Sequence, residues 1–288
     1  MVQTNPAEIK ISRLTQVGIV VKDLERVAQD YWNILGIGPW NIVTISPPQL
    51  YDRMYHGKPL YYVAKFGFAQ MGQVELELLQ PVQGHTVYDD FLAEHGEGAH
   101  HVQYLVDSAD EVYRHNEIMA RMGFPVTLGA HVRKNGAFAY YATEGPLGTI
   151  LESVKNPDKF IGPTIKYPPD ESAVSPAKIK VKELYQVSLA VENVEETAKN
   201  YWNLFGIGPW DIFDAAPPQE YDLAYYGKPA NFTTRVGLTM LGSVEFELIQ
   251  PVGGDTLGRD HIRKYGEGIN HLAFAVDDVE ETVRLMEA

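Results

Sequence analysis

Residues 14 to 21, LTQVGIVV, are apolar at almost every position and read as a strand. Asp23 follows as a helix N-cap, and LERVAQDYWNIL carries apolar residues at helical spacing until Gly36 stops it. Three strand-like runs come next, WNIVTI, LYYVAKFGFAQ and QVELELLQ, the last alternating with a period of two. That unit is β-α-β-β-β. After a short acidic segment the order recurs: HHVQYLV (100 to 106) predicts a strand, SADEVYRHNEIMARM a helix closed by Gly123, and PVTLGAHV, AFAYYAT and GTILESV three more strands. Two such units, over residues 14–80 and 98–155, predict an α+β domain whose paired βαβββ modules form one curved mixed sheet.

A longer repeat encloses this one. YWNILGIGPW at 31–40 returns as YWNLFGIGPW at 201–210, an offset of 170, and at that offset residues 16–118 align with 186–288 without a gap. The domain is duplicated. KNPDKFIGPTIKYPPDESAVSPAK, between the copies, is rich in Pro and polar residues, shows no periodicity and reads as a linker. The expected organisation is a first domain over 1–155, a linker over 156–179, and a second domain over 180–288 that lacks a counterpart of residues 119–155. The repeated decamer is mainly scaffold: it ends a helix and turns into the next strand, where Trp40 can reach core or pocket. GIGPW follows a helix rather than preceding one and lacks the glycine spacing of a phosphate loop.

Charge and cysteine content narrow the chemistry. With 24 Lys and Arg against 38 Asp and Glu, the formal charge of −14 disfavours nucleic acid and anionic membrane as partners. Cysteine is absent, so any metal must be held by oxygen and imidazole nitrogen. MVQTNPAEIK contains no basic patch leading into an apolar run, and a cytoplasmic location is expected.

Alternation on strands places Gln16, Gly18 and Val20 on one face, and His101, Gln103 and Leu105 on one face, with His100 expected on the opposite side. The two modules place Gln16 and His101 at equivalent first strands and Glu77 and Glu152 at equivalent last strands. If the modules pair about a pseudo-twofold axis, these four side chains converge. Each alone is an ordinary strand residue; jointly they stand out, because the second copy repeats three of them as Gln186, Glu247 and His271, while His56, His85, His95 and His100 are replaced. Glu75 shares the face of Glu77 and is repeated as Glu245, a candidate for a supporting role or for the base.

QVGIVVKDLERV, VELELLQP, GAHHVQYLVD and GTILESV, in that order and on those strands, resemble the vicinal oxygen chelate superfamily, which includes glyoxalase I and methylmalonyl-CoA epimerase. The resemblance covers the first copy and as much of the second as is present. It implies a divalent metal (zinc, nickel, cobalt, manganese, magnesium or iron) on Gln16, Glu77, His101 and Glu152. It also implies an isomerase, epimerase or lyase in which Glu152 or Glu77 leaves the metal and shuttles a proton next to a carbonyl. Two carboxylates, an amide oxygen and an imidazole leave two positions of an octahedron for substrate oxygens. Trp40, Tyr104 and Tyr140 are taken as substrate-binding aromatics.

Two other readings belong to different classes. A ring-cleaving dioxygenase wants a His where Gln16 stands. A non-catalytic protein of the bleomycin-resistance type generally lacks the ligands retained here. In the second copy Gln186, Glu247 and His271 make three ligands at most, so the first site alone is expected to be competent, the second copy being truncated. The alternatives are module exchange with another chain, and hence a homo-oligomer, and a purely structural role for the second copy.

Overall fold

The structure is a computed structural model that describes residues 5–158, 162–163, 165–170, 172–220 and 222–287. In chain order the first copy contains β1 (Gln16–Val20), α1 (Leu24–Asp30), β2 (Trp40–Ile45), β3 (Leu50–Tyr55), β4 (Lys58–Pro59), β5 (Val63–Met71), β6 (Val74–Gln83) and α2 (Val87–Glu94). It continues with β7 (Gly98–Leu105), α3 (Ala109–Arg121), β8 (Val126–Val132), β9 (Gly136–Tyr141), α4 (Glu144–Leu147), β10 (Ile150–Lys155) and β11 (Ile165–Tyr167). The second copy contributes β12 (Leu184–Ala190), α5 (Val194–Phe205), β13 (Asp211–Ala215), β14 (Ala224–Tyr225), β15 (Lys228–Pro229), β16 (Thr233–Leu241), β17 (Val244–Gly253), α6 (Leu257–Tyr265), β18 (Gly268–Phe274) and α7 (Val279–Glu287).

The chain divides into two compact units. One comprises Thr15–Ala142, Leu151–Leu184 and Phe274–Ala288; the other comprises Met1–Leu14, Thr143–Ile150 and Tyr185–Ala273. The short stretch around α4 groups with the second copy for a local reason: Tyr201 donates its hydroxyl to Leu147 O at 2.9 Å and Asn200 Nδ2 donates to Pro146 O at 3.0 Å. Among the described residues no helix is long and apolar enough to cross a membrane.

The larger sheet runs β11-β2-β5-β6-β1-β7-β10-β9-β8-β3-β4. The two modules meet at its middle, where β1 pairs antiparallel with β7 and parallel with β6. Every residue of β1 is buried, as a central strand covered on both faces must be. Val17, Leu76 and Leu78 have no exposed surface, while Gln16, Gly18, Glu75 and Glu77 alternate with them. Helix α1 starts at Asp23, whose side chain accepts from Arg26 N, and buries Leu24 against Gly67 of β5, where a Cβ would lie 3.0 Å from the leucine. A wider helical turn over Tyr31–Leu35 follows, ended by Gly36 at a φ of 72°, the left-handed conformation glycine adopts without steric cost.

The structure departs from the pattern-based expectation at α2, β3, β4 and β11, and at the short helix α4 between β9 and β10. The acidic segment is the helix α2, begun by a capping box of Thr86 and Asp89. The stretch after β2 folds as the β3–β4 hairpin, and β3 pairs with β8 of the other module. Within the expected linker, Ile165–Tyr167 adds to the free edge of β2, and residues 159–161, 164 and 171 lie outside the described residues. The second copy's sheet, β13-β16-β17-β12-β18, repeats the first module with β12 parallel to β17.

Candidate functional site

The register sets two rungs across the middle of the larger sheet. Glu77, Gly18 and His101 form one; Glu75, Gln16 and Gln103 form the other. Glu152 lies on β10, opposite Tyr140 of β9. The predicted quartet is therefore brought to one concavity, and all of it is buried: Gln16, Glu77, His101 and Glu152 are 4%, 6%, 0% and 4% exposed. The His101 Nε2 stands 3.2 Å from Glu152 Oε2 and 3.5 Å from Glu77 Oε2.

Gly18 makes this arrangement sterically feasible. A Cβ there would fall 1.9 Å from His101 Cε1, so the imidazole occupies the volume that any side chain at position 18 would need. The second copy has Ser188 at the equivalent position, buried with an unpartnered Oγ. A Gly18→Ser variant should keep the strand, as the second copy does, and displace the His101 ring. Carbethoxylation of His101 in metal-free protein, read by peptide mass mapping, should rise from protected to reactive while the far-UV circular dichroism is unchanged.

Gln103 ties the remaining donors together. Thr15 Oγ1 donates to Gln103 Oε1 at 3.1 Å, which turns Gln103 Nε2 toward Gln16 Oε1 (2.7 Å) and Glu152 Oε2 (3.2 Å). Gln16 Nε2 in turn donates to Glu75 Oε1 at 2.7 Å. Glu75 is thus a hydrogen-bond partner of a predicted ligand, and burial raises its pKa while Gln16 opposes the shift. In the second copy Gln186 and Glu245 repeat that bond at 2.8 Å, but Ala273 replaces Gln103, and His271 Nε2 lies 3.2 Å from Gln186 Oε1. His271 is also 3.7 Å from Glu247 Oε2, and its side chain is 45% exposed.

The electrostatics are those of a site short of positive charge. Burial pushes the Glu77 carboxyl up to about 7, with His101 opposing the shift. Burial disfavours the charged form of His101, yet Glu152 and Glu77 outweigh it and raise the imidazole to about 9. Two carboxylates share one imidazolium, and Glu77 Oε2 and His101 Nε2 remain buried without hydrogen-bond partners. A divalent ion would answer both deficits. Two donors about 2.1 Å from one ion and at right angles stand about 3 Å apart, close to the two His101–carboxylate separations. The donor set fits, although among the described residues no three His, Asp or Glu side chains form a ready-made cluster. In this geometry the Gln16 oxygen and Glu152 are held by Gln103 instead.

A cavity of about 190 Å³ opens beside the quartet, lined by Gln16, Glu75, Glu77, Gln103 and Glu152 together with Phe66, Phe68, Tyr88, Phe138 and Tyr140 among its apolar walls. Tyr140 lines this cavity. Trp40 and Tyr104 do not line the cavity. Trp40 is fully buried against the Tyr31 ring and donates Nε1 to Ile37 O at 2.9 Å. Tyr104 alternates away from Gln103 on β7, and its hydroxyl meets His115 of α3. His100, expected on the far face, is drawn in by a register shift between Gly18 and Ile19, and its Nδ1 lies 3.0 Å from that of His101. Tyr62 is fully buried, its hydroxyl is unpartnered, and burial raises its pKa, with Arg53 opposing the shift and Glu152 and Glu77 adding to it.

Paired βαβββ modules that bury an amide, an imidazole and two carboxylates at their seam define a duplicated α+β protein with a small-molecule cavity in one curved sheet. Residues 15–141 and 185–288 match the family described as the Glyoxalase/Bleomycin resistance protein/Dioxygenase superfamily, and the chain belongs to that superfamily, the vicinal oxygen chelate proteins. Its fold is similar to a triple variant of 4-hydroxymandelate synthase from Streptomyces coelicolor, with a TM-score of 0.63 at 17% identity over 97% of this chain and 75% of the other. Methylmalonyl-CoA epimerase from Mycobacterium tuberculosis is a further structural match, with a TM-score of 0.39 at 18% identity over 53% of this chain and 93% of the other. Among curated sequences, the uncharacterized protein YqjC of Bacillus subtilis is 26% identical over 147 residues, 49% of this chain and 93% of YqjC.

Proposed function

We propose that the first copy is a metal-dependent isomerase, epimerase or lyase that moves a proton next to a carbonyl of a small-molecule substrate. The observation carrying this reading is the buried pair of carboxylates facing one imidazole beside a cavity, with no well-formed hydrogen bond to Glu77 Oε2 or His101 Nε2. Gln16, Glu77, His101 and Glu152 would hold the ion. When bound, it would act as a Lewis acid toward a carbonyl or enediol oxygen.

The protein's own residues supply the rest. Glu77 would take a proton from the substrate carbon and return it, as a buried carboxylate beside the reacting carbon can do. Glu152, across the imidazole from Glu77, also lines the cavity, as does Glu75. Gln103 holds the Gln16 amide oxygen and Glu152 in orientation.

Solvent deuterium uptake at carbon in 2-oxo and 2-hydroxy carbonyl compounds tests the reaction. Exchange that needs added metal and disappears in Glu77→Gln and Glu152→Gln is the expected result. Oxygen consumption with a catechol, and no exchange, would instead point to ring cleavage.

A further inference from the structure

The walls of the cavity specify more about the substrate than the quartet does. Phe68 stands opposite Glu77 in the β5–β6 register, and Tyr140 stands opposite Glu152 in the β9–β10 register, so each carboxylate has an aromatic ring beside it. Phe66 and Phe68 present rings that are nearly parallel, 7° apart at 6.4 Å. Tyr88 meets Phe66 edge to face at 83°, and Phe138 meets Tyr140 at 64°. The hydroxyls of Tyr88 and Tyr140 lie 3.1 Å apart, one donating to the other, so this pair leaves one tyrosine O–H for a guest.

Size adds a second constraint. The cavity measures about 190 Å³. Drug-sized ligand pockets begin near roughly 300 Å³, whereas a dry apolar cavity of about 150 Å³ admits a benzene ring. One six-membered ring fits this space, which is partly open to solvent and leaves room for a substituent to extend outward, and edge-to-face and offset packing would favour it over an alkyl group of similar size.

The internal duplication supplies a comparison within one chain. At the positions of Phe66, Phe68 and Tyr88 the second copy has Val236, Leu238 and Gly258. The copy that assembles the quartet is also the copy that carries the aromatic wall.

We propose that this site takes a compact aryl compound, its ring held by Phe66, Phe68, Phe138 and Tyr140 and its carbonyl-bearing carbon turned toward Glu77 and Glu152. The orientation rests on the proton-transfer reading; the ring pocket does not. Phenylpyruvate and pyruvate serve as probes, titrated by ligand-observed NMR against the metal-free and the cobalt-loaded protein. The variant is Phe66→Val/Phe68→Leu, which installs residues the second copy already accommodates in the equivalent strand.

Wild type should bind phenylpyruvate at least about tenfold more tightly than pyruvate, a difference of about 1.4 kcal/mol, and the variant should lose that preference. Equal or tighter binding of pyruvate, binding of neither probe, or an unchanged preference in the variant would overturn the proposal. Aryl preference without any deuterium exchange would leave the ring pocket standing and remove the proton-transfer reading.

Discussion

Glu152→Gln is expected to lower divalent-metal affinity by about 100-fold or more while leaving the metal-free protein at least as stable as wild type. Residues that merely orient a ligand are worth about 10- to 100-fold in metal affinity, so a direct carboxylate ligand should reach the upper end or exceed it. The second half of the prediction follows from the charge count. In the metal-free site two buried carboxylates flank one imidazolium, with His101 3.2 Å from Glu152 and 3.5 Å from Glu77. Neutralising one carboxylate removes a like-charge repulsion and leaves His101 and Glu77 as a balanced pair. Glu77→Gln should behave in the same way. Chelator competition measures the affinity, and calorimetry in the presence of a chelator measures the stability. A variant that loses metal only because it melts early would argue that these carboxylates are structural.

Trp40→Ala should cost about 3–5 kcal/mol of stability, the range for removing a large aromatic side chain from a packed core. Trp40 has no exposed surface, contacts the Tyr31 ring at a centroid distance of 5.8 Å, and donates Nε1 to Ile37 O at 2.9 Å. Truncation removes the packing and leaves the Ile37 carbonyl without this donor, and the two losses add. The urea midpoint should fall correspondingly, with no change in metal stoichiometry among molecules that remain folded. A substrate-binding role for Trp40 predicts the opposite: small destabilisation and impaired ligand binding.

The contrast between Trp40 and the quartet shows what sequence pattern could and could not reveal. Strands β1, β6 and β7 and helices α1 and α3 are legible because a buried face imposes periodicity on the residues themselves. The positional equivalence of Gln16 and His101, and of Glu77 and Glu152, was legible because duplication within the domain marks equivalent strands. Helix α2 was hidden by its acidity and by a capping box built with Asp89 rather than a glutamate or glutamine. The β3–β4 hairpin was hidden because only Leu50 of β3 is buried; its pairing comes from β8, far away in sequence.

Within the site, the missing information was register. Alternation alone puts Glu75 and Glu77 on one face, but only the pairing of β1 with β6 assigns Glu75 to Gln16 and Glu77 to Gly18. The same pairing exposes the role of Gly18, a residue whose contribution is the space it leaves for the His101 ring. The shift beside Gly18 that brings His100 inward likewise follows from chain pairing rather than from local composition. Tyr104 could have been excluded earlier, since strict alternation on β7 already separates it from Gln103.

The most direct test of the site is elemental analysis after loading with zinc, nickel, cobalt, manganese, magnesium or iron and exhaustive dialysis, with wild type measured beside the Glu77→Gln/Glu152→Gln double variant. One ion per chain in wild type and none in the double variant is the predicted result; no retained ion in wild type, or equal retention in both, would contradict it.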